Sequence, residues 1–229
     1  MKLSVVIPVY NEERTIKDVI ERVDRVPLEK EIIIIDDCSK DGTRGILEKL
    51  SARRKDIRII YSSPNRGKGC AIKKGFGLAT GDVVLIQDAD LEYDPQDYLP
   101  IVKAFTDHDC PAVYGSRFLG ECGNMSFLQL FANRLFTGLT NLIHRAHMSD
   151  TCTCYKAFRT GLIKNLPLES DGFEICHEIN AKLLRRGVPI IEVPIHYYAR
   201  THKEGKKAGW KTFFISLRTI YQYGIVKKG

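Results

Sequence analysis

No stretch of the 229 residues approaches the roughly 20 consecutive apolar positions of a membrane-spanning helix, so the chain is expected not to cross a bilayer. The start lacks a secretory-type apolar segment, and the seven cysteines are odd in number and scattered. Both features point to free thiols in a reducing, cytoplasmic setting. Only Cys152 and Cys154 stand close together. One intervening residue is not zinc-knuckle spacing, and their Thr and Tyr neighbours read as a strand. Internal repeats, low-complexity tracts and linkers are also missing. At 44% hydrophobic and 28% charged, the chain has the composition of one large folded domain, neither disordered nor disulfide-stapled.

A net charge of +7 invites a nucleic-acid reading, but the charge is unevenly placed. Residues 1–199 carry 27 Lys and Arg against 27 Asp and Glu, whereas residues 200–229 carry 8 against 1. Nucleic-acid binding needs cations spread over a face, and a neutral body with one basic tail does not supply them. No nucleic-acid partner is expected.

What is present in the first half is an alternation of short apolar runs and amphipathic stretches, the pattern of parallel strands joined by helices. Strands are expected at 3–9, 32–35, 57–61 and 83–86, with helices at 13–23, 43–50 and 70–79. Later come an amphipathic stretch at 127–143, a strand at 154–158, a helix at 175–184 and a strand at 190–195. The fold class is therefore α/β with a mostly parallel central sheet. In such sheets ligands bind beyond the carboxyl ends of the strands. Three strands run into polar residues there: Tyr10-Asn11-Glu12, Asp36-Asp37 and Gln87-Asp88-Ala89-Asp90. One crevice is expected to collect all three.

Alternate residues of an extended segment point the same way, so Asp88, Asp90 and Glu92 can offer oxygens to one hard divalent ion and leave its open face for a diphosphate. The other reading is a solvated acidic turn before Pro95. A carboxylate at a strand end can also bond ribose hydroxyls or a base edge. Asp37 takes that role, and Asp41 that of a helix cap. Asn65-Arg66-Gly67-Lys68-Gly69 is a glycine-rich turn before a helix, with Lys68 and Arg66 able to approach phosphate. It is not a Walker loop, because Gly69 stands where Ser or Thr should follow the lysine. Nor is it a dinucleotide fingerprint, because Ile72 replaces the third glycine. Kinase and dehydrogenase readings lose ground accordingly.

Taken in order, Ile7 to Glu12, Asp36-Asp37 with Ser39 to Thr43, Asn65 to Gly69, and Gln87 to Pro95 resemble the successive motifs of family-two inverting glycosyltransferases. The resembling branch is that of dolichyl-phosphate mannose synthases and bacterial polyprenyl-phosphate glycosyltransferases. The similarity runs on through Gly115-Ser116-Arg117, Asp150-Thr151, Cys154-Tyr155-Lys156, Gly172-Phe173-Glu174 and Tyr198 with Arg200, nearly the whole chain. It implies a GT-A fold, a single Rossmann-like nucleotide-binding domain at 1–200 followed by a basic amphipathic segment at 201–229. It also implies Mg- or Mn-dependent inverting transfer from a nucleotide-diphosphate sugar of GDP-mannose or UDP-glucose type. By the same resemblance, Pro8, Tyr10 and Glu12 line the base pocket, Asp37 contacts the nucleoside, and Lys68 and Ala89 lie along the donor. Asp88 and Asp90 manage metal and diphosphate, with Asp90 catalytic. Glu92 is a third metal ligand where that branch often has Gln. Arg117 and Arg200 face phosphate in the acceptor region, and Asp150 stands where related enzymes place a carboxylate base.

The acceptor remains open between two classes. A saccharide hydroxyl would want Asp150 as base. A polyprenyl phosphate is already anionic and needs arginines to orient it, for which Arg117, Arg134 and Arg200 are candidates. Asp150 then reads as a cap or as the partner of such an arginine. A non-catalytic nucleotide-sugar binder is the third reading. In the tail, Lys203, Lys206 and Lys207 precede an apolar helical stripe of Trp210, Phe213, Phe214, Leu217, Ile220 and Tyr221. That stripe suits either an anionic membrane surface or packing on the core. Relatives often carry transmembrane segments beyond this point, so a lipid-linked acceptor implies peripheral attachment at the cytoplasmic membrane face.

Overall fold

β1 (Leu3–Val9) is buried along its whole length, as an apolar run covered on both faces must be. β2 (Lys30–Asp36) is buried from Ile32 onward, and β4 (Val83–Ile86) throughout. Around them the computed structural model, which describes residues 1–54, 56–200 and 210–226, places α1 (Ile16–Arg25), α2 (Thr43–Arg53), β3 (Ile57–Tyr61) and α3 (Lys68–Leu78). The second half adds α4 (Tyr98–His108), β5 (Ala112–Ser116), β6 (Cys122–Gly123), α5 (Phe127–His144) and β7 (Lys156–Arg159). It closes with α6 (Thr160–Lys164), α7 (Ile175–Arg185), β8 (Ile190–Pro194), β9 (Tyr197–Tyr198) and α8 (Trp210–Tyr221).

The central sheet has seven strands in the order β3-β2-β1-β4-β7-β5-β8, with β7 antiparallel to both neighbours and every other pairing parallel. A core on one face joins α1, α2 and α4 to the sheet. The core on the other face joins α3, α6 and α7. The chain winds outward from β1 through β2 to β3, then returns to place β4 on the other side of β1. The switch point therefore lies between β1 and β4. The polar ends of β2, β1 and β4 consequently stand side by side.

α1 buries Ile16, Val19, Ile20 and Val23, the stripe expected of it. The reading from pattern names no element between β4 and α5, where the structure has α4 and β5. Leu99 and Pro100 interrupt the periodicity of α4, but a proline in the first helical turn loses only an N–H that has no partner there anyway. β7 begins at Lys156, so Cys152 and Cys154 lie ahead of it rather than in a strand. All seven cysteines are free thiols.

α8 covers the expected stripe, but the face it buries is Ser216, Thr219 and Ile220. Small side chains let it approach α5 and α7 closely, which turns Trp210, Phe214 and Tyr221 outward. Lys203, Lys206 and Lys207 lie outside the described residues. No helix among the described residues is long and apolar enough to cross a membrane.

α3 rests on β1 through Gly75, where a Cβ would stand 2.2 Å from Cγ1 of the fully buried Val6. Gly75→Ala is therefore expected to lower stability by about 1–3 kcal/mol, read as a reduced urea midpoint with an unchanged slope.

Candidate active site

The adjacent strand ends open into a cleft of about 790 Å³. Pro8, Tyr10 and Glu12 line it after β1, Asp37 after β2, Lys68 at the start of α3, and Asp88, Ala89, Asp90 and Glu92 after β4. Arg117 from the end of β5 and Arg200 from beyond β9 complete this wall. Of the residues expected at the site, Asp150, Arg134 and Arg66 do not line the cleft.

The turn carrying the acids is held from beneath. Gln87 is fully buried, accepts hydrogen bonds from the hydroxyls of Tyr98 and Tyr155, and donates to the Asp88 carbonyl at 2.9 Å. Each acid then meets a cation. The Lys68 ammonium lies 2.5 Å from Asp88, and the Arg200 guanidinium 2.7 Å from Asp90 and 3.2 Å from Glu12. Burial opposes charge on Asp88, but Lys68 holds its carboxyl below the usual range. Asp90 is pushed up to about 7 by burial and by the negative charges of Asp88 and Glu92, which outweigh Arg200.

Several expected roles change. Both Asp37 oxygens accept backbone N–H bonds, from Arg66 at 3.0 and 3.2 Å and from Gly67 at 2.7 Å. Its carboxylate thus shapes the 65–69 turn as well as facing the cleft. Gly67 has φ +101°, and a Cβ there would stand 2.5 Å from the Asp171 carbonyl oxygen. That glycine admits the 170–172 backbone, whereas phosphate binding was the expected reason for it. Asp41 accepts the Thr43 N–H at 3.0 Å from ahead of α2, but the N-cap position expected of it is taken by Gly42.

Glu92 is occupied as well. One oxygen accepts the Arg200 backbone N–H and the other the Tyr197 hydroxyl, each at 2.8 Å. Among the described residues no three His, Cys, Asp or Glu side chains form a metal-binding group, so the expected Asp88, Asp90 and Glu92 triad is not assembled here. Asp88 and Asp90 do fit a hard divalent cation. Both supply oxygens and both face the cleft, and the proton affinity of Asp90, raised first by burial and then by the charges of Asp88 and Glu92, reflects a buried negative charge that such an ion would relieve.

Asp150 is the clearest correction. It is fully buried and grips Arg117 in a fork, 2.7 Å to Nε and 2.8 Å to Nη2. Burial would raise its carboxyl, but Arg117 holds it below the ordinary range. A carboxylate so engaged is an anchor for Arg117, not a base facing an acceptor. Arg134 stands exposed with its guanidinium 4.1 Å from the Phe118 ring centroid, so it does not join the cleft.

Sequence reasoning named Gln87, Cys154 and Tyr155 within motifs without giving them these roles, and it missed Tyr98 and Tyr197; the Cys154 sulfur lies 3.3 Å from Lys68. The motif pointed to Tyr198, its neighbour in β9, but alternation along the strand leaves Tyr198 exposed and turns Tyr197 inward.

Polar strand ends at a sheet's switch point, paired acids and a long cleft describe a protein of GT-A architecture. Residues 4–166 match the family described as Glycosyl transferase family 2, and the chain belongs to that family. The dolichol-phosphate mannosyltransferase of Pyrococcus furiosus is 30% identical over 228 residues, 97% of this chain and 63% of that protein. The undecaprenyl-phosphate 4-deoxy-4-formamido-L-arabinose transferase of Edwardsiella ictaluri is 32% identical over 216 residues, 89% of this chain and 62% of that protein. The chain thus spans under two thirds of the length of either relative. Among solved structures, glucosyl-3-phosphoglycerate synthase from Mycobacterium tuberculosis with Mn2+, uridine diphosphate and phosphoglyceric acid shares the fold. Its TM-score is 0.76 at 19% identity, covering 100% of this chain and 80% of that one.

The Asp150 clamp has a measurable consequence. Asp150→Ala strands a buried guanidinium and is expected to cost about 3–5 kcal/mol in urea unfolding at pH 7. Because the folded carboxyl lies below the unfolded value of about 3.9, the stabilisation is complete above that pH and lost as pH falls through the folded value. The gap between wild type and variant therefore closes in acid.

Proposed function

We propose that the protein transfers a sugar, with inversion, from a nucleoside-diphosphate sugar to a polyprenyl phosphate at a membrane surface. The observation that carries the acceptor class is the Asp150–Arg117 fork. The carboxylate expected to deprotonate a hydroxyl acceptor is consumed in holding an arginine at the cleft wall. An anionic phosphate needs no base. One of its oxygens bonds to the anomeric carbon as the bond to the donor diphosphate breaks, and the electron pair leaves with the nucleoside diphosphate. The names of the two relatives, which refer to dolichol phosphate and undecaprenyl phosphate, support the same acceptor chemistry.

Pro8, Tyr10 and Glu12 receive the nucleoside end in this reading, and Asp37 holds the turn beside it. Lys68 and Arg200 stand ready for the diphosphate, and Arg117 orients the acceptor phosphate. Asp88 and Asp90 are the residues for Mg or Mn, which when bound offsets the charge developing on the leaving group. Beside the cleft, the α5 start exposes Phe127 (84%), Leu128 and Phe131, and α8 exposes Trp210 (67%), Phe214 and Ile215. Phe136 and Phe213 join the two helices with ring centroids 5.1 Å apart. Leu128 and Trp210 also line the cleft, so an apolar surface runs into the site. That surface suits the lipid tail and peripheral attachment to the cytoplasmic face.

The test is transfer of radiolabel from GDP-mannose or UDP-glucose to short polyprenyl phosphates, with and without Mn2+. Label is expected in the organic phase only with metal, and Asp90→Ala should lower the rate by roughly two orders of magnitude or more. Label confined to water-soluble saccharide would overturn the lipid acceptor. In parallel, Phe127→Ser with Phe214→Ser should weaken sedimentation with anionic vesicles while the melting temperature stays close to wild type.

A further inference from the structure

Lys68 and Arg200 come from distant parts of the chain, the first residue of α3 and the segment beyond β9, yet each ends on one of two neighbouring acids. A carboxylate oxygen that ligates Mg or Mn sits about 2.1 Å from the ion. The same oxygens here lie 2.5 Å from the Lys68 nitrogen and 2.7 Å from the Arg200 nitrogen. Metal and side-chain cation on shared oxygens would stand only a few ångströms apart, in a cleft where water screens poorly. The two occupants therefore compete.

We propose that Lys68 and Arg200 are resident counter-ions of the empty donor site, displaced together when metal and nucleoside diphosphate enter, so that the two ligands bind cooperatively. The proposal rests on the nucleotide-sugar reading above. Metal alone must part Lys68 from Asp88 and Arg200 from Asp90, which leaves the Lys68 ammonium without its carboxylate and Arg200 with Glu12 and Glu92 only. Nucleotide alone meets Asp88 and Asp90 as like charges. With both present, Asp88 and Asp90 would hold the metal while the Lys68 ammonium and the Arg200 guanidinium turn to the diphosphate, so that each displaced cation has an anion to meet.

The local architecture allows the exchange without refolding. Glu92 accepts the Arg200 backbone N–H at 2.8 Å, and its backbone carbonyl accepts the Tyr198 N–H at 2.9 Å, which ties the end of β9 and the residues just beyond it to the acid turn. The Arg200 head group alone needs to move, and its reach already extends from Asp90 to Glu12 along the cleft. Glu92 is on this view a positioning residue for Arg200. Lys68 is similarly placed, at a helix start, with the Cys154 sulfur 3.3 Å and the Phe173 ring centroid 5.5 Å from its nitrogen.

The experiment is titration of the full chain with Mn2+, followed by calorimetry and by the electron paramagnetic resonance signal of free Mn2+, with and without GDP or UDP. In the wild type, saturating nucleotide should tighten Mn2+ binding beyond what chelation by nucleotide in solution accounts for, by roughly 10–100-fold, and Mn2+ should tighten nucleotide equally. Lys68→Met and Arg200→Met should each bind Mn2+ without nucleotide about tenfold more tightly than wild type, with a smaller coupling factor. Arg200→Lys, which keeps the charge, should restore weak metal binding. Because the two variants alter different elements, misfolding of one, detected by its melting curve, leaves the other decisive. Unchanged Mn2+ affinity in a folded variant would overturn the counter-ion role while nucleotide binding stood. Wild-type protein that binds neither nucleotide nor Mn2+ would overturn the donor site itself, and this proposal with it.

Discussion

Parallel strands deliver their carboxyl ends to one edge, and in this protein three of those ends carry acids into a single crevice. Like charges in a partly dry cleft repel one another, so the arrangement persists only where cations from elsewhere meet them. Lys68 and Arg200 meet Asp88, Asp90 and Glu12, while Arg117 at the cleft wall forms a separate fork with the fully buried Asp150. Much of the rest of the site serves this pairing. Gln87, clasped by two tyrosine hydroxyls, fixes the acid turn, and Glu92 fixes the backbone that carries Arg200. Asp37 shapes the turn from which Lys68 projects.

The placement of these groups was largely legible in the sequence, for a definite reason. Buried parallel strands must be apolar on both faces, so their ends are marked by the abrupt change at Val9 to Tyr10, Ile35 to Asp36 and Ile86 to Gln87. Eleven expected site residues line one cleft because the strand order brings those ends together. The partner of each carboxylate was less legible. Asp37 and Asp150 look alike in sequence, but one receives amides from a loop thirty residues away and the other an arginine thirty-three residues away. Such pairings follow from tertiary contacts, which no local spacing encodes.

The same limit explains α8. An apolar stripe says that some face of a helix is buried, but Ser216 and Thr219 pack here because close approach to α5 and α7 favours small side chains. The larger residues are released to the surface beside the cleft, where they join the exposed start of α5. One apolar surface is thereby built from two helices that are separated in sequence and joined through Phe136 and Phe213.

The reach of Arg200 also bears on how the molecule comes to exist. Its bonds to Glu92 and Glu12 close loops of 108 and 188 residues, among the longest in the chain. Contacts of such separation are entropically the slowest to form and cannot form at all until residue 200 has left the ribosome. During synthesis the sheet from β1 to β4 can be in place while its acids still lack their final cation. Assembly of the cleft therefore waits for residue 200, and the order of folding follows the order in which charge is brought to balance.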